Sequence, residues 1–344
     1  RSRRAHVSRR VVAAPDKFRG TATAGEVAAA VAAAAREAGW HCTEVPMSDG
    51  GEGMLACFGG ANRSTVVSGP LGAPVRAGWR LDGRRAVVEM ATASGLALVA
   101  GTNDAIAAST RGSGELIAAA VAAGAHEIVV GVGGSATTDG GAGAVEVLEH
   151  YAPFDGHAGP RLIVAVDVST RFTDAARLFS RQKGADDGQL EALTERLVRT
   201  AARYRDRFGV DVTDLDGSGA AGGLAGGLAA LGARLRPGFE VVAAAVGLAE
   251  AIQDADLVVT GEGRLDASSL LGKTPVGVAR LAASSDVPAA VLAGEVDGVS
   301  SSQLSDPPPL LASLRGRFGR EAALGDTLAC VRILVREWLD DLGP

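Results

Sequence analysis

One feature constrains this chain more than any other: short apolar runs repeatedly end in loops dense in glycine and carboxylate. Val11-Val12-Ala13-Ala14 runs into Pro15-Asp16-Lys17-Phe18-Arg19-Gly20, and Thr43-Glu44-Val45 into Pro46-Met47-Ser48-Asp49-Gly50-Gly51-Glu52-Gly53. Glu127-Ile128-Val129-Val130 runs into Gly131-Val132-Gly133-Gly134-Ser135-Ala136-Thr137-Thr138-Asp139-Gly140-Gly141. Leu257-Val258-Val259 runs into Thr260-Gly261-Glu262-Gly263-Arg264-Leu265-Asp266. Ala-rich stretches with helical periodicity separate these joins. Such alternation predicts an α/β fold. In open α/β sheets, ligands bind beyond the carboxyl ends of the strands. The four loops are therefore the candidate site.

The pattern predicts helices over residues 25–38, 113–123, 189–207 and 327–342, and a small-residue helix over 219–231. Further strands are expected at Leu162 to Val166 and Ala289 to Ala293. Residues 65–90 break the alternation: two β-rich segments flank Leu81-Asp82-Gly83 and read as a hairpin. That interruption predicts an inserted domain, with the N-terminal and C-terminal strands sharing one sheet. The expected division is a disordered basic tail over 1–10, a discontinuous α/β domain over 11–64 plus 250–344, and an inserted α/β domain over 65–249.

Composition narrows the function. The chain has 344 residues and a net charge of −6. That balance argues against nucleic acid as a partner, because neutralising phosphates needs a basic face. Arg1, Arg3, Arg4, Arg9 and Arg10 cluster at the start, but no long apolar run follows, so a signal peptide or membrane anchor is not expected. Cys42, Cys57 and Cys330 show no CxxC spacing, and no two histidines have HxxxH spacing. These patterns speak for a reducing, cytoplasmic setting and against a dedicated metal cage. A metal shared with substrate phosphates stays open, as does a homodimer. The 47 glycines lie in clusters, which suits close backbone approach to a ligand.

Each loop carries specific chemistry. Lys17 and Arg19 are suited to a carboxylate or phosphate, and Asp16 to a metal or a proton. Asp49 and Glu52, set among glycines, are suited to Mg2+. In the third loop, the backbone of Gly133, Gly134, Ala136 and Gly140 and the hydroxyls of Ser135, Thr137 and Thr138 can cradle phosphates before a helix. Asp139 there would repel phosphates unless a cation intervened, which favours a nucleotide with Mg2+ over NAD. In the fourth loop, Arg264 and Lys273 can stabilise a transferring phosphoryl group, with Glu262 or Asp266 on the metal. Two named motifs nearly fit. Gly272-Lys273-Thr274 ends like a P-loop, but Ala267 stands where that motif needs glycine. Gly131-x-Gly133-x-x-Ala136 meets the relaxed dinucleotide pattern and leaves an NAD-dependent oxidoreductase as a minor alternative.

These loops, in this order, resemble the bacterial glycerate kinase family, the type related to the glycerate 2-kinases. The matching segments are APDKFRG (14–20), PMSDGGEG (46–53), VVEMATASGLALV (87–99), GVGGSATTDGGAGA (131–144), RQKGA (181–185), GSGAAGGLAGGL (217–228) and DADLVVTGEGRLDASSLLGKTPVGVA (254–279). The resemblance implies two α/β domains, the second inserted in the first, with the active site in the cleft between them. It implies ATP-dependent phosphorylation of D-glycerate, or a close small hydroxy-acid, with Mg2+. Asp16, Asp49, Asp139, Asp167, Lys183, Glu262, Arg264, Asp266 and Lys273 become site residues by matching position. In that scheme Asp167 or Asp16 takes the acceptor's proton, and Arg19 or Lys183 pairs with its carboxylate. The chain departs from the family pattern at Lys17, usually Ser, and at Arg19, usually Lys. It departs again at 168–174, where Val-Ser-Thr-Arg-Phe-Thr-Asp replaces an Asn-Pro-Leu turn. The altered segment motivates a second reading, a non-catalytic paralogue that binds nucleotide or hydroxy-acid as a sensor.

Overall fold

A computed structural model describes residues 9–99, 101 and 103–343. Its strands, in chain order, are β1 (Arg10–Ala13), β2 (His41–Glu44), β3 (Arg63–Ser68), β4 (Pro74–Asp82), β5 (Arg85–Glu89), β6 (Glu127–Gly131), β7 (Arg161–Val166), β8 (Arg234–Pro237), β9 (Leu257–Leu265), β10 (Ala289–Val296) and β11 (Leu310–Ser313). They form two sheets, and the chain separates into two compact units, up to Asp49 with Val242 onward, and Gly50–Val241. Among the described residues no helix is long and apolar enough to cross a membrane.

The first unit holds a parallel sheet of order β11-β10-β9-β1-β2. Val11 pairs in register with Leu257 on one side and Cys42 on the other, so the two ends of the chain complete one sheet. The helix Ala24–Glu37 starts at a capping box in which Thr23 and Glu26 satisfy each other's backbone N–H groups. Its buried Val27, Val31 and Ala35 share a core with Val331, Leu334 and Val335 of the helix Thr327–Leu342. Each large side chain so buried contributes about 1.5–3 kcal/mol.

The second unit holds a sheet of order β3-β4-β5-β6-β7-β8, antiparallel from β3 to β5 and parallel from β5 to β8. The expected hairpin is the turn between β4 and β5, where Asp82 pairs with Arg85. Helices Arg111–Ala122 and Asp187–Phe208 supply Leu116, Ile117, Leu193, Leu197 and Tyr204 to its core. Asp186 and Gln189 cap the latter helix reciprocally.

The structure differs from the sequence expectations in three places. The tail does not extend to residue 10: residues 1–8 lie outside the described residues, and Arg10 opens β1. The Arg10 N–H donates to Asp256 at 2.8 Å, and its guanidinium pairs with Asp254 at 3.3 Å. The division falls at Asp49 and Gly50, not at 64 and 65. Residues 50–54 pack on 131–133, and the Leu55 N–H donates to Glu89, which ties this segment to the second unit. Residues 219–231 are not one helix. Ala220–Gly223 form a tight turn with Ala221 and Gly222 at φ 54° and 65°, and only Leu224–Ala230 is α-helical. Position 222 needs glycine there: its φ is positive, and a Cβ would stand 2.0 Å from the Thr137 carbonyl oxygen.

Candidate active site

Each unit carries a cluster of its own. In the second unit, the loop after β6 is held from every side. Its Ala136 N–H donates to Ser94 O at 3.0 Å, and Gly134 O accepts from Leu96 N–H at 2.9 Å. Asn103 Nδ2 donates to Ala136 O at 2.8 Å and to Lys183 O at 2.9 Å. The Gly140 N–H donates to Gly222 O at 3.0 Å, and the Tyr204 hydroxyl donates to Gly140 O at 2.9 Å. A Cβ on Gly133 would fall 2.5 Å from Gly51 Cα, so the loop 50–53 touches it backbone to backbone. Among the described residues, the N–H groups of Gly133, Gly134, Ser135, Thr137 and Thr138 meet no acceptor in the protein. The Thr137 hydroxyl is buried without a partner. With the Gly134, Ala136, Thr137 and Gly140 carbonyls engaged and these N–H groups free, the loop is suited to receive an anion.

Asp139 and Lys183 stand behind this loop. The Asp139 carboxylate accepts from Thr110 N–H and Oγ1 at 2.9 and 2.8 Å, from Gly141 N–H at 3.0 Å and from Gly143 N–H at 3.2 Å. It therefore fixes the loop's exit into the helix Ala142–Leu148. Lys183 is 3% exposed. Its ammonium donates to Thr137 O at 2.6 Å, and burial lowers its pKa to about 8, opposed by Asp139. Thr138 and Ser180 join their hydroxyls at 3.1 Å. Asp167 sits half-buried just past β7, and Glu52 is exposed.

In the first unit, β1 and β9 lie side by side; Asp16, just past β1, donates its N–H to Gly261 O at 2.8 Å, next to Glu262 within β9. Asp16 is buried. Its carboxylate accepts from Lys17 N–H at 2.6 Å and Thr274 Oγ1 at 2.9 Å. Burial, then the charge of Asp49, push it up to about 6. Burial pushes Glu262 up to about 7, with Asp16 and Asp49 adding to the rise and Ser269 and Lys273 opposing it. One Glu262 oxygen, Oε1, is buried without a hydrogen bond. Lys273 stands at the start of the helix Thr274–Ser284, its ammonium 2.9 Å from Ser268 Oγ.

Other sequence candidates in this unit lie at its surface. Arg264 is paired with Asp297 at 2.5 Å and Asp266 at 3.5 Å. Asp266 accepts from Ser268 N–H and Oγ at 2.9 and 2.6 Å, which lowers its pKa. Arg19 is exposed.

Among the described residues, no group of three or more acidic, histidine or cysteine side chains converges to hold a metal alone. The residues still fit Mg2+ as phosphate-bearing substrates present it. That ion takes one or two carboxylates and completes its shell from phosphate and water. Mutual repulsion of Asp16 and Asp49 and the orphaned Glu262 oxygen are what a cation would relieve.

Glu89 was not singled out from sequence. It lies at the carboxyl end of β5, 7% exposed, and accepts from the Leu55 N–H. A lone acid ending the run Ala86-Val87-Val88 was the available signal.

A free N–H cradle at one strand end and buried carboxylates at another suit a phosphotransferase, which needs an anion cradle and cation-holding acids. The chain is a member of the glycerate kinase family, whose profile matches residues 11–152 and 155–307. It is 40% identical to a glycerate 2-kinase of Escherichia coli (strain K12), over 83% of this chain and 85% of that protein. It is 38% identical to a glycerate kinase of Bacillus subtilis (strain 168), over the same shares of each. A crystal structure from Salmonella typhimurium LT2, provisionally named glycerate kinase 2, superposes with a TM-score of 0.77 at 34% identity. That superposition covers 97% of this chain and 98% of the other.

Proposed function

We propose that this protein is an ATP-dependent kinase that transfers the γ-phosphoryl group of ATP to the 2-hydroxyl of D-glycerate. The observation that carries the reading is the loop 131–141, with its free N–H groups and unpartnered Thr137 hydroxyl. The choice of hydroxyl follows the relative named glycerate 2-kinase. The loop's N–H groups bind the nucleotide phosphates, and Lys183 holds the Thr137 carbonyl so that they stay aimed. Asp16, with a pKa of about 6, takes the hydroxyl proton as the oxygen attacks the γ-phosphorus and ADP leaves. Asp49 and Glu262 are the carboxylates that would hold Mg2+, which supplies charge neutralisation on the phosphates. Lys273 offsets negative charge on the transferring group, and Arg19 pairs with the acceptor's carboxylate. The retained cradle and acid cluster favour transfer over a ligand sensor that does no chemistry. Three free cysteines support work in the cytoplasm.

The test is incubation with ATP, Mg2+ and D-glycerate, followed by phosphorus NMR. The expected product is 2-phosphoglycerate. ATP left intact over a panel of small hydroxy-acids would sink the reading, and 3-phosphoglycerate would correct the position.

A further inference from the structure

The second unit contains a cavity of about 510 Å3 that the proposed reaction does not use. It lies along the long helix Asp187–Phe208 and the start of the helix Ala142–Leu148. None of residues 133–138 lines it; it meets the loop only at Asp139. Its volume falls within the range of small-molecule sites.

The wall carries three acids and three arginines, but they are not paired one to one. Glu149 pairs with Arg207 at 2.7 Å, and Glu146 pairs with Arg111 at 3.5 Å. Asp139 is engaged by Thr110 and two backbone N–H groups. Every acid on the wall thus has a donor. Two of the wall's arginines have no acid: Arg196 donates one N–H to Ile106 O at 2.9 Å, and the Arg203 guanidinium lies 5.9 Å from the Tyr204 ring. Among the described residues neither forms an ion pair. Two guanidiniums without counterions in a concave wall, backed by apolar Val145 and Phe208, attract anions through charge-assisted hydrogen bonds. Seven residues apart, they share one helix face about two turns long, with a rise of about 10 Å. Arginine side chains are long enough to converge from that distance on one compact ligand that carries two anionic groups.

We propose that this cavity binds a small organic or inorganic polyanion, with at least two carboxylate or phosphoryl groups, at a site separate from phosphoryl transfer. The assignment does not depend on the identity of the acceptor. The test is titration calorimetry of the full chain, with citrate as the carboxylate probe and pyrophosphate as the phosphoryl probe. At least one probe binds the wild type. Arg196→Gln with Arg203→Gln weakens that binding about a hundredfold, through loss of two charge-assisted contacts. Arg203→Gln alone, which removes no backbone hydrogen bond, weakens it about tenfold. Arg199→Gln, on a surface pair with Glu195, leaves it unchanged. Failure of both probes to bind the wild type, or binding that survives both arginine variants, overturns the proposal. Pyrophosphate held on the loop 131–141 would show itself in this way, as binding that the variants do not touch.

Discussion

The loop 131–141 and the acid cluster around Asp16 are both strand-end sites, yet opposite forces shape them. The loop is neutral in the main and over-determined. The carbonyls of Gly134, Ala136, Thr137 and Gly140 are bonded, its exit is pinned by Asp139, and glycines at 222 and 133 let neighbouring backbone press against it. The acid cluster is under-determined. Burial and then the charge of Asp49 raise Asp16, burial with the charges of Asp16 and Asp49 raises Glu262, and one Glu262 oxygen has no hydrogen-bond partner. One region is preorganised by packing and the other is held at an electrostatic cost. A shape-specific anion cradle calls for the first arrangement, and binding of a cation or proton calls for the second.

The harshest way to break the contrast is Gly222→Ala. The new Cβ meets the Thr137 carbonyl at 2.0 Å in a left-handed backbone, so a loss of about 4 kcal/mol or more is expected in urea unfolding. A mild loss would show the loop to be pliable. Asp16→Asn should act oppositely on function and stability. Turnover should fall about a thousandfold, while stability at pH 8 rises by about 1–2 kcal/mol as a buried charge and its repulsion by Asp49 are removed. A fall in both would mean that Asp16 is only a structural acceptor. Lys183→Met leaves the Thr137 carbonyl unpaired. It should cost about 2 kcal/mol of stability and raise the KM for ATP about tenfold, with a smaller change in kcat.

The pH dependence sharpens the same comparison. Asp16 and Glu262, at about 6 and about 7, bind protons more tightly folded than unfolded. Between about pH 4 and about pH 7 the native state therefore holds more protons, and stability falls as pH rises through that window. Activity should move the other way, rising as the coupled acids ionise near about pH 6 to 7. Parallel melting and rate profiles would test the opposition; two curves rising together would contradict it. The smallest effect is expected for Arg264→Gln. That guanidinium is exposed and already paired with Asp297 and Asp266, so kcat/KM should fall by no more than about threefold.

Much of the fold was legible because it rests on local rules. The small-residue periodicity over 25–38 marked a helix, the apolar run Val11 to Ala14 marked a buried strand, and the break at 65–90 marked the antiparallel hairpin. The loop 131–141 was legible as a glycine- and hydroxyl-rich loop at a strand end. Roles within it were not. Asp139 looks from sequence like a cation partner, but its oxygens meet Thr110, twenty-nine positions earlier. Lys183 looks like an anion binder, but it is buried against Thr137 O, forty-six positions earlier. The turn at 220–223 read as helix because small residues allow many backbones, and only the pressure of the loop selects one.

The sequence by itself determined which segments become strands and helices, and which strand ends carry glycine with charge. Period, capping and glycine content act within a few residues. Only the tertiary structure decided which of those charges are engaged and which are left over. Burial and hydrogen bonding join residues far apart in the chain: Asp16 to Thr274, Asp139 to Thr110, and the N- and C-terminal strands to each other. A carboxylate's chemistry depends on what surrounds it in space, and composition does not carry that information.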